Sequence, residues 1–269
     1  MIDGRTLDGV SATTLWTLRN RAEEALRPDS SYDDPWAVRL YRDIDYDYEV
    51  FGKPSQSHPL RALAADHEIG RYLDDHPDAT VVALAEGLQT SYWRLGRTVR
   101  RWLSVDLPPV VALREELLPQ ERTVEHLALD ALDRAWLEAV DPSDGVVVTA
   151  EGLFMYLQPD QVRALIADIA QRFPGGVLVY DSIPRWFRDK TLDGLTLSGG
   201  YVTPPMPYAQ TVDEARRLTD LPGVRRVVDL DLPRGRGPWG STLLRGASNL
   251  PVVRNTRPSL TLLELGPEN

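Results

Sequence analysis

Between residues 60 and 180, short apolar runs alternate with stretches whose apolar positions recur every three or four residues. That alternation predicts a parallel sheet joined by crossover helices. Strands are expected at Thr80–Leu84, Arg101–Val105, Gly145–Ala150 and Val177–Tyr180, with a shorter, more polar one at Thr123–Leu127. Between them fall helices at Leu60–His76, from Ser91–Arg94 onward, and at Pro109–Leu117, Ala135–Val140 and Pro159–Arg172. The last of these carries Val162, Leu165, Ile166 and Ile169 on one stripe and is stopped by Gly175-Gly176. Upstream, Ser11–Leu26 reads as an amphipathic helix, Asp34-Pro35-Trp36 opens a short one through Leu40, and Asp43–Glu49 has no clear period and reads as a loop. Downstream of Asp181, the segment Pro184–Pro207 scatters Trp186, Phe187, Tyr201 and Met206 among glycines and prolines, as a loop or helical excursion would. A helix at Thr211–Thr219 follows, and strands at Val224–Leu230 and Ser259–Leu265 look like an antiparallel hairpin with a long Gly-, Pro- and Arg-rich connection. The fold class expected is α/β: a Rossmann-like doubly wound sheet with an antiparallel C-terminal hairpin. Residues 1–60 would form a helical cap on the same domain, and residues 61–269 the core, with a lid-like insertion at 185–210.

The 269-residue length suits one large α/β core. A formal net charge of −10 argues against a nucleic-acid surface, which needs clustered cations. With no cysteine there is no disulfide, no thiolate metal ligand and no cysteine nucleophile, and no His or acid cluster suggests a metal site. No apolar run approaches the ~20 residues that span a bilayer. Asp3, Asp8, Arg19 and Asn20 break up any signal-like segment at the start. A cytoplasmic protein acting on a small molecule, with neither nucleic acid nor membrane as partner, is the expectation; oligomeric state stays open.

Candidate chemistry gathers where strands end. The run Val81-Val82-Ala83-Leu84-Ala85-Glu86-Gly87-Leu88 enters a turn closed by Gly87, and nineteen positions later the second strand ends in Asp106, followed by Leu107. A close backbone turn at the first strand and an acid at the tip of the second is how such sheets hold a nucleoside cofactor. Ala85 occupies the first glycine of a dinucleotide fingerprint, which speaks against NAD. Asp130–Asp133 and Ala150–Leu153 converge on the same edge.

Taken in order, Arg61-x4-Asp66, the Val81–Leu88 run, Trp93-Arg94, Trp102–Pro108, Ala131-Leu132-Asp133 and Glu151–Tyr156 resemble the leucine carboxyl methyltransferase family, in its bacterial, tetracenomycin-type branch. The resemblance runs from about Thr13 to Leu265. It implies a class I methyltransferase sheet and S-adenosylmethionine as cofactor. It implies that Arg61 grips the methionyl carboxylate, Asp106 the ribose, Leu132 and Asp133 the adenine, and that Glu151 faces the methionyl end. With Ala85, Glu86, Gly87, Leu107, Asp130 and Ala131 in the turns, these are the expected cofactor residues. Where the family shows Gly-x-Gly-Leu-Asp-Thr-Arg, this chain has Ala85-Glu86-Gly87-Leu88-Gln89-Thr90-Ser91.

The activity implied is transfer of a methyl group to a carboxylate or phenol oxygen of a small aromatic or polyketide-like acceptor. Altered turn residues leave open a cofactor-binding auxiliary protein on the same scaffold. A carboxylate is ionised at neutral pH and needs no base, whereas a phenol does. His67, Tyr156 and Tyr201 are the candidate catalytic side chains; His58, His76 and His126 read as loop or surface residues.

Overall fold

Runs such as Val146–Val148 and Val81–Leu84 are apolar at every position because both faces of their sheet are covered. A computed structural model describes residues 2–248 and 250–266. Met1, Asn249 and residues 267–269, which the sequence assigns to cap and core, lie outside the described residues. In chain order the elements are α1 (Thr13–Ala25), α2 (Pro35–Asp43), α3 (Ser57–Asp75), β1 (Thr80–Leu84), α4 (Ser91–Arg94), β2 (Arg101–Asp106), α5 (Pro108–Leu117), β3 (Val124–Ala128) and α6 (Ala135–Glu138). They continue with β4 (Val146–Ala150), α7 (Pro159–Arg172), β5 (Val177–Ser182), α8 (Arg185–Leu192), α9 (Val212–Arg216), β6 (Val224–Leu230) and β7 (Ser259–Leu265).

The seven strands lie in the order β3-β2-β1-β4-β5-β7-β6. Strands β1 to β5 are mutually parallel, with Val82 opposite both Leu103 and Val148, and β7 runs antiparallel between β5 and β6. Strand order reverses between β1 and β4, the point where such sheets bind ligands. Alternation then sorts the side chains. Val82, Leu103, Val148 and Leu178 meet Leu165, Ile166 and Ile169 of α7 on one face, and Val81, Trp102, Val147 and Val179 meet Ala65, Ile69 and Leu73 of α3 on the other.

Local differences from the expected elements have physical causes. α3 starts at Ser57 because Pro59 fits a helical first turn, which brings His58 onto the helix. The acidic stretch expected as a loop instead pairs Ile44–Asp45 with Ile2–Asp3 and then turns through Tyr48–Phe51, where Phe51 packs on Trp16 and Tyr46. The helix after β1 ends at Arg94 after one turn, with Gly96 in left-handed backbone just beyond. The β6–β7 connection holds short helices at Thr242–Ser248 and Pro251–Arg254. Among the described residues no helix is long and apolar enough to cross a membrane.

The cap is tied to the core by a buried cluster of charges. Asp34, 0% exposed, caps α2 through the Ala37 amide at 2.9 Å and accepts from Arg21 at 2.9 Å and Arg94 at 2.8 Å. The Thr90 hydroxyl donates to it at 2.7 Å, and Arg94 reaches on to Asp66 at 2.7 Å. Burial alone would raise the Asp34 pKa; Arg21 and Arg94 outweigh it and hold the carboxyl well below the usual range. Asp34→Ala is expected to cost about 3–5 kcal/mol in denaturant unfolding, because two guanidinium groups would stay buried without their shared partner. Since the folded pKa is the depressed one, the contribution of Asp34 is fully present above the ordinary carboxylate range. It fades only as pH falls below that range, so the gap in stability between wild type and variant should narrow in strong acid.

Candidate active site

Parallel strands end on one edge, so residues just after β1, β2, β4 and β5 surround one cavity of about 780 Å³. The turn after β1 sets its floor. Ala85 has φ +48°, the one non-glycine residue in left-handed backbone among the described residues, and Gly87 has φ +59°. Asp106, at the tip of β2, accepts from the Gly87 amide at 2.6 Å and the Leu107 amide at 2.7 Å. Burial nonetheless pushes its pKa up, against those two amides. A Cβ on Gly87 would sit 2.4 Å from the Thr14 hydroxyl, which itself accepts from the Leu88 amide at 2.7 Å. The glycine is therefore required by α1, a partner the sequence does not show, as well as by the turn. From below, Arg114 donates to the carbonyls of Gly87 at 2.7 Å and Gln89 at 2.9 Å. Glu86 borders the cavity, but its carboxylate is turned to Arg114, 2.9 Å away.

Opposite the Asp106 turn stands Arg61. Its Nε donates to Glu151 at 3.1 Å and its Nη1 to Asp181 at 2.6 Å, while Asp181 also accepts from the Gly152 amide at 2.6 Å. Burial raises the Glu151 pKa and Arg61 opposes it. The grip on a ligand carboxylate that the resemblance implies would fall to the rest of the guanidinium. Two edges of the guanidinium are held by protein acids, and Nη2 has no partner among the described residues. Gln89, where the family carries an acid, is buried and sits 3.4 Å from Glu151 as a neutral donor. Ser91 accepts from Arg94 at 2.7 Å, within the Asp34 cluster.

Of the residues expected at the cofactor, Arg61, Ala85, Glu86, Gly87, Asp106, Leu107, Asp130, Ala131 and Glu151 line the cavity. Leu132 and Asp133 do not: Leu132 packs against the sheet core, and exposed Asp133 accepts from the amide of Ala135, the first residue of α6, at 3.0 Å. The acid at the cavity in that loop is Asp130, which accepts from the Leu132 amide at 2.8 Å.

The candidate catalytic residues separate in the same way. Tyr156 lines the cavity, and burial raises its pKa to about 12. Tyr201 does not; it packs its ring 4.8 Å from Phe51 and braces the cap. His67 points away from the cavity, with a side chain 72% exposed and 3.2 Å from Glu68.

Residues not singled out beforehand complete the walls: Asp181, Thr14, Trp16 and His58, and parts of the β6–β7 connection such as Leu232 and Trp239. Asp181 had a usable signal, an acid at the end of an apolar strand, the same feature that marked Asp106. His58 lies three residues before Arg61, so extending the helix by one turn would have placed both on one face.

Residues 14–170 match the leucine carboxyl methyltransferase family, a span covering Arg61, Asp106 and Glu151. The chain belongs to that family. It is 32% identical over 185 residues to the tetracenomycin polyketide synthesis O-methyltransferase TcmP of Streptomyces glaucescens, covering 67% of this chain and 68% of that one. It is 29% identical over 187 residues to an S-adenosyl-L-methionine-dependent methyltransferase of Gibberella zeae, 62% and 63% of the two chains. A solved Thermobifida fusca structure, provisionally titled a methyltransferase, superposes with a TM-score of 0.59 at 16% identity over 94% of each chain. The fold is that of the class I methyltransferases.

Two neighbouring left-handed residues should respond oppositely to substitution. Ala85→Gly relieves a conformation costing about 1–2 kcal/mol for a residue with a Cβ, offset by roughly 0.4–1 kcal/mol of chain entropy; stability in urea should hold or rise slightly. Gly87→Ala adds the clash with Thr14 to the same backbone cost and should lower stability by more than 2 kcal/mol, ~1–2 of it from backbone alone.

Proposed function

We propose that this cavity binds S-adenosylmethionine between the Asp106 turn and Arg61, and that the protein transfers its methyl group to a carboxylate or phenol oxygen of a small aromatic or polyketide-like acceptor. The observation that carries the reading is the convergence of Asp106, Arg61, Glu151 and Asp181 on one cavity at the strand-order switch.

The residues fit the cofactor. Asp106 keeps lone pairs beyond its two amide bonds for ribose hydroxyls. Around Arg61, two carboxylates face one guanidinium, an excess of negative charge that suits an ammonium and a sulfonium, while Nη2 remains for a carboxylate. When bound, the cofactor supplies an electrophilic methyl group carried on positive sulfur. The chain's own part is to orient the two reactants and to exclude water. Trp16, Phe187, Met206 and Leu230 give the rest of the cavity apolar and aromatic walls suited to a planar acceptor. Tyr156, held protonated by burial, serves there as a hydrogen-bond donor rather than a base. The name of the Streptomyces relative supports an oxygen acceptor on a polyketide. The net charge of −10 favours a small molecule over nucleic acid or an anionic membrane.

Calorimetric titration with S-adenosylhomocysteine tests the cofactor half. Saturable one-to-one binding is expected, weakened about tenfold or more in Asp106→Asn, since a hydrogen bond to a charged group contributes about 1.5–3 kcal/mol. Absence of binding to the folded wild type would remove the reading.

A further inference from the structure

On α3, one helical turn before Arg61, His58 faces the same cavity, and its surroundings fix which ring nitrogen carries the proton. The Ser55 amide donates to Asn20 Oδ1 at 2.9 Å, which leaves Asn20 Nδ2 as the group facing His58 Nδ1, 2.5 Å away. An amide NH2 only donates, so Nδ1 must be the acceptor and the proton of the neutral ring must lie on Nε2. The ring packs edge-on against Trp16, with centroids 5.5 Å apart. Its Nε2 has no hydrogen-bond partner among the described residues, and it is not among their sealed polar atoms without a partner, so it is open to the cavity. The charged groups that bear on the ring, Arg61 and Arg21, are both cationic. Burial, reinforced by those two charges, lowers the His58 pKa to about 3 and keeps the ring neutral.

We propose that His58 is a specificity-determining residue: locked as the Nε2–H tautomer by Asn20, it donates a hydrogen bond to an unprotonated oxygen of the methyl acceptor. This rests on the methyltransferase reading above and deepens it on the acceptor side. The lock has a second consequence. To take a proton from a phenol at Nε2, His58 would first need its own proton on Nδ1, facing the NH2 of Asn20, with two donors opposed. His58 therefore does not act as the acceptor's base, and its donor favours an acceptor oxygen that arrives already ionised over one that must still lose a proton. Trp16 and Asn20, one turn apart on α1, set the ring's plane and its tautomer respectively.

The test uses the full chain labelled with 15N-histidine, with and without S-adenosylhomocysteine, and assigns His58 by difference from His58→Gln. The ring is expected as the neutral Nε2–H form between pH 5 and 8. In Asn20→Asp a carboxylate replaces the locking donor, so the proton should move to Nδ1 and the ring should begin to titrate. A wild-type His58 found as the Nδ1–H form, or titrating in that range, overturns the proposal. Naphthoate, a planar aromatic carboxylate, then probes the cavity of the S-adenosylhomocysteine-saturated protein. Its binding should weaken about tenfold in His58→Leu and recover to within about threefold of wild type in His58→Gln, which restores an N–H donor, with the nucleoside affinity unchanged in both. Equal naphthoate binding by wild type and His58→Leu, or none by the saturated wild type, also overturns it. Failure of S-adenosylhomocysteine to bind wild type would instead count against the methyltransferase reading, and the tautomer measured without ligand would still decide the histidine's state.

Discussion

Asp34 governs the site without touching it. Its carboxylate gathers Arg21 from α1, Thr90 from the turn after β1 and Arg94 from α4, and through Arg94 it reaches Asp66 on α3. Two acids and two guanidinium groups balance, in a place with no room for solvent to replace a missing partner. Such clusters add little net stability beside an apolar core, but they fix relative position, because each member is costly to leave alone. Here the position fixed is that of α1. That helix supplies Thr14 to the Leu88 amide and Asn20 to His58, so the cap forms part of the cavity wall and is not a separate cover.

A parallel sheet makes acids at strand tips converge, because every strand ends on the same edge. Asp106 ends β2, Glu151 follows β4 and Asp181 is the penultimate residue of β5, with Arg61 the cation between the latter two. Burial raises the pKa values of Asp106 and Glu151, so without a ligand the cavity holds more negative charge than its surroundings favour. A bound cation relieves that excess and, by linkage, should draw both pKa values back down. The cost of gathering these acids is thus part of the selectivity for a positively charged ligand.

Sequence periodicity revealed the sheet, its crossover elements and the antiparallel strand at the end, because fully covered strands must be continuously apolar. Strand-end spacing pointed to Asp106 and the family resemblance to Arg61 and Glu151, and all three line the cavity. Asp133 lies outside the cavity lining, since the first amide of a helix claims the acid locally and nothing in the residue type distinguishes such a turn from a ligand contact. His67, the expected candidate, is exposed, and His58, read as a loop or surface residue, lines the cavity, for a similarly local reason. One faces solvent and the other the cavity, and which does so depends on where α3 begins, a boundary that Pro59 obscures in the sequence. Gly87 was recognised as a close approach, but its partner Thr14 lies 73 residues away and leaves no trace in local spacing.

The cavity's two halves come from different parts of the chain. Arg61, Ala85, Asp106 and Glu151 all fall within residues 14–170, the span matched to the family. Much of the wall proposed for the acceptor, including Phe187, Met206, Leu230 and Trp239, comes after it, from α8 and its following loop, from β6 and from the β6–β7 connection. Loops of this kind can change their side chains without disturbing the sheet, so acceptor preference can vary while the cofactor side stays fixed. The halves meet on α3, which presents Arg61 to one and His58 to the other a single turn apart. With one residue proposed for each ligand, a rigid helix would set their separation by its own pitch. The Asp34 cluster holds that helix through Asp66 and Arg94, and on the proposed reading would thereby set the distance across which a methyl group must pass.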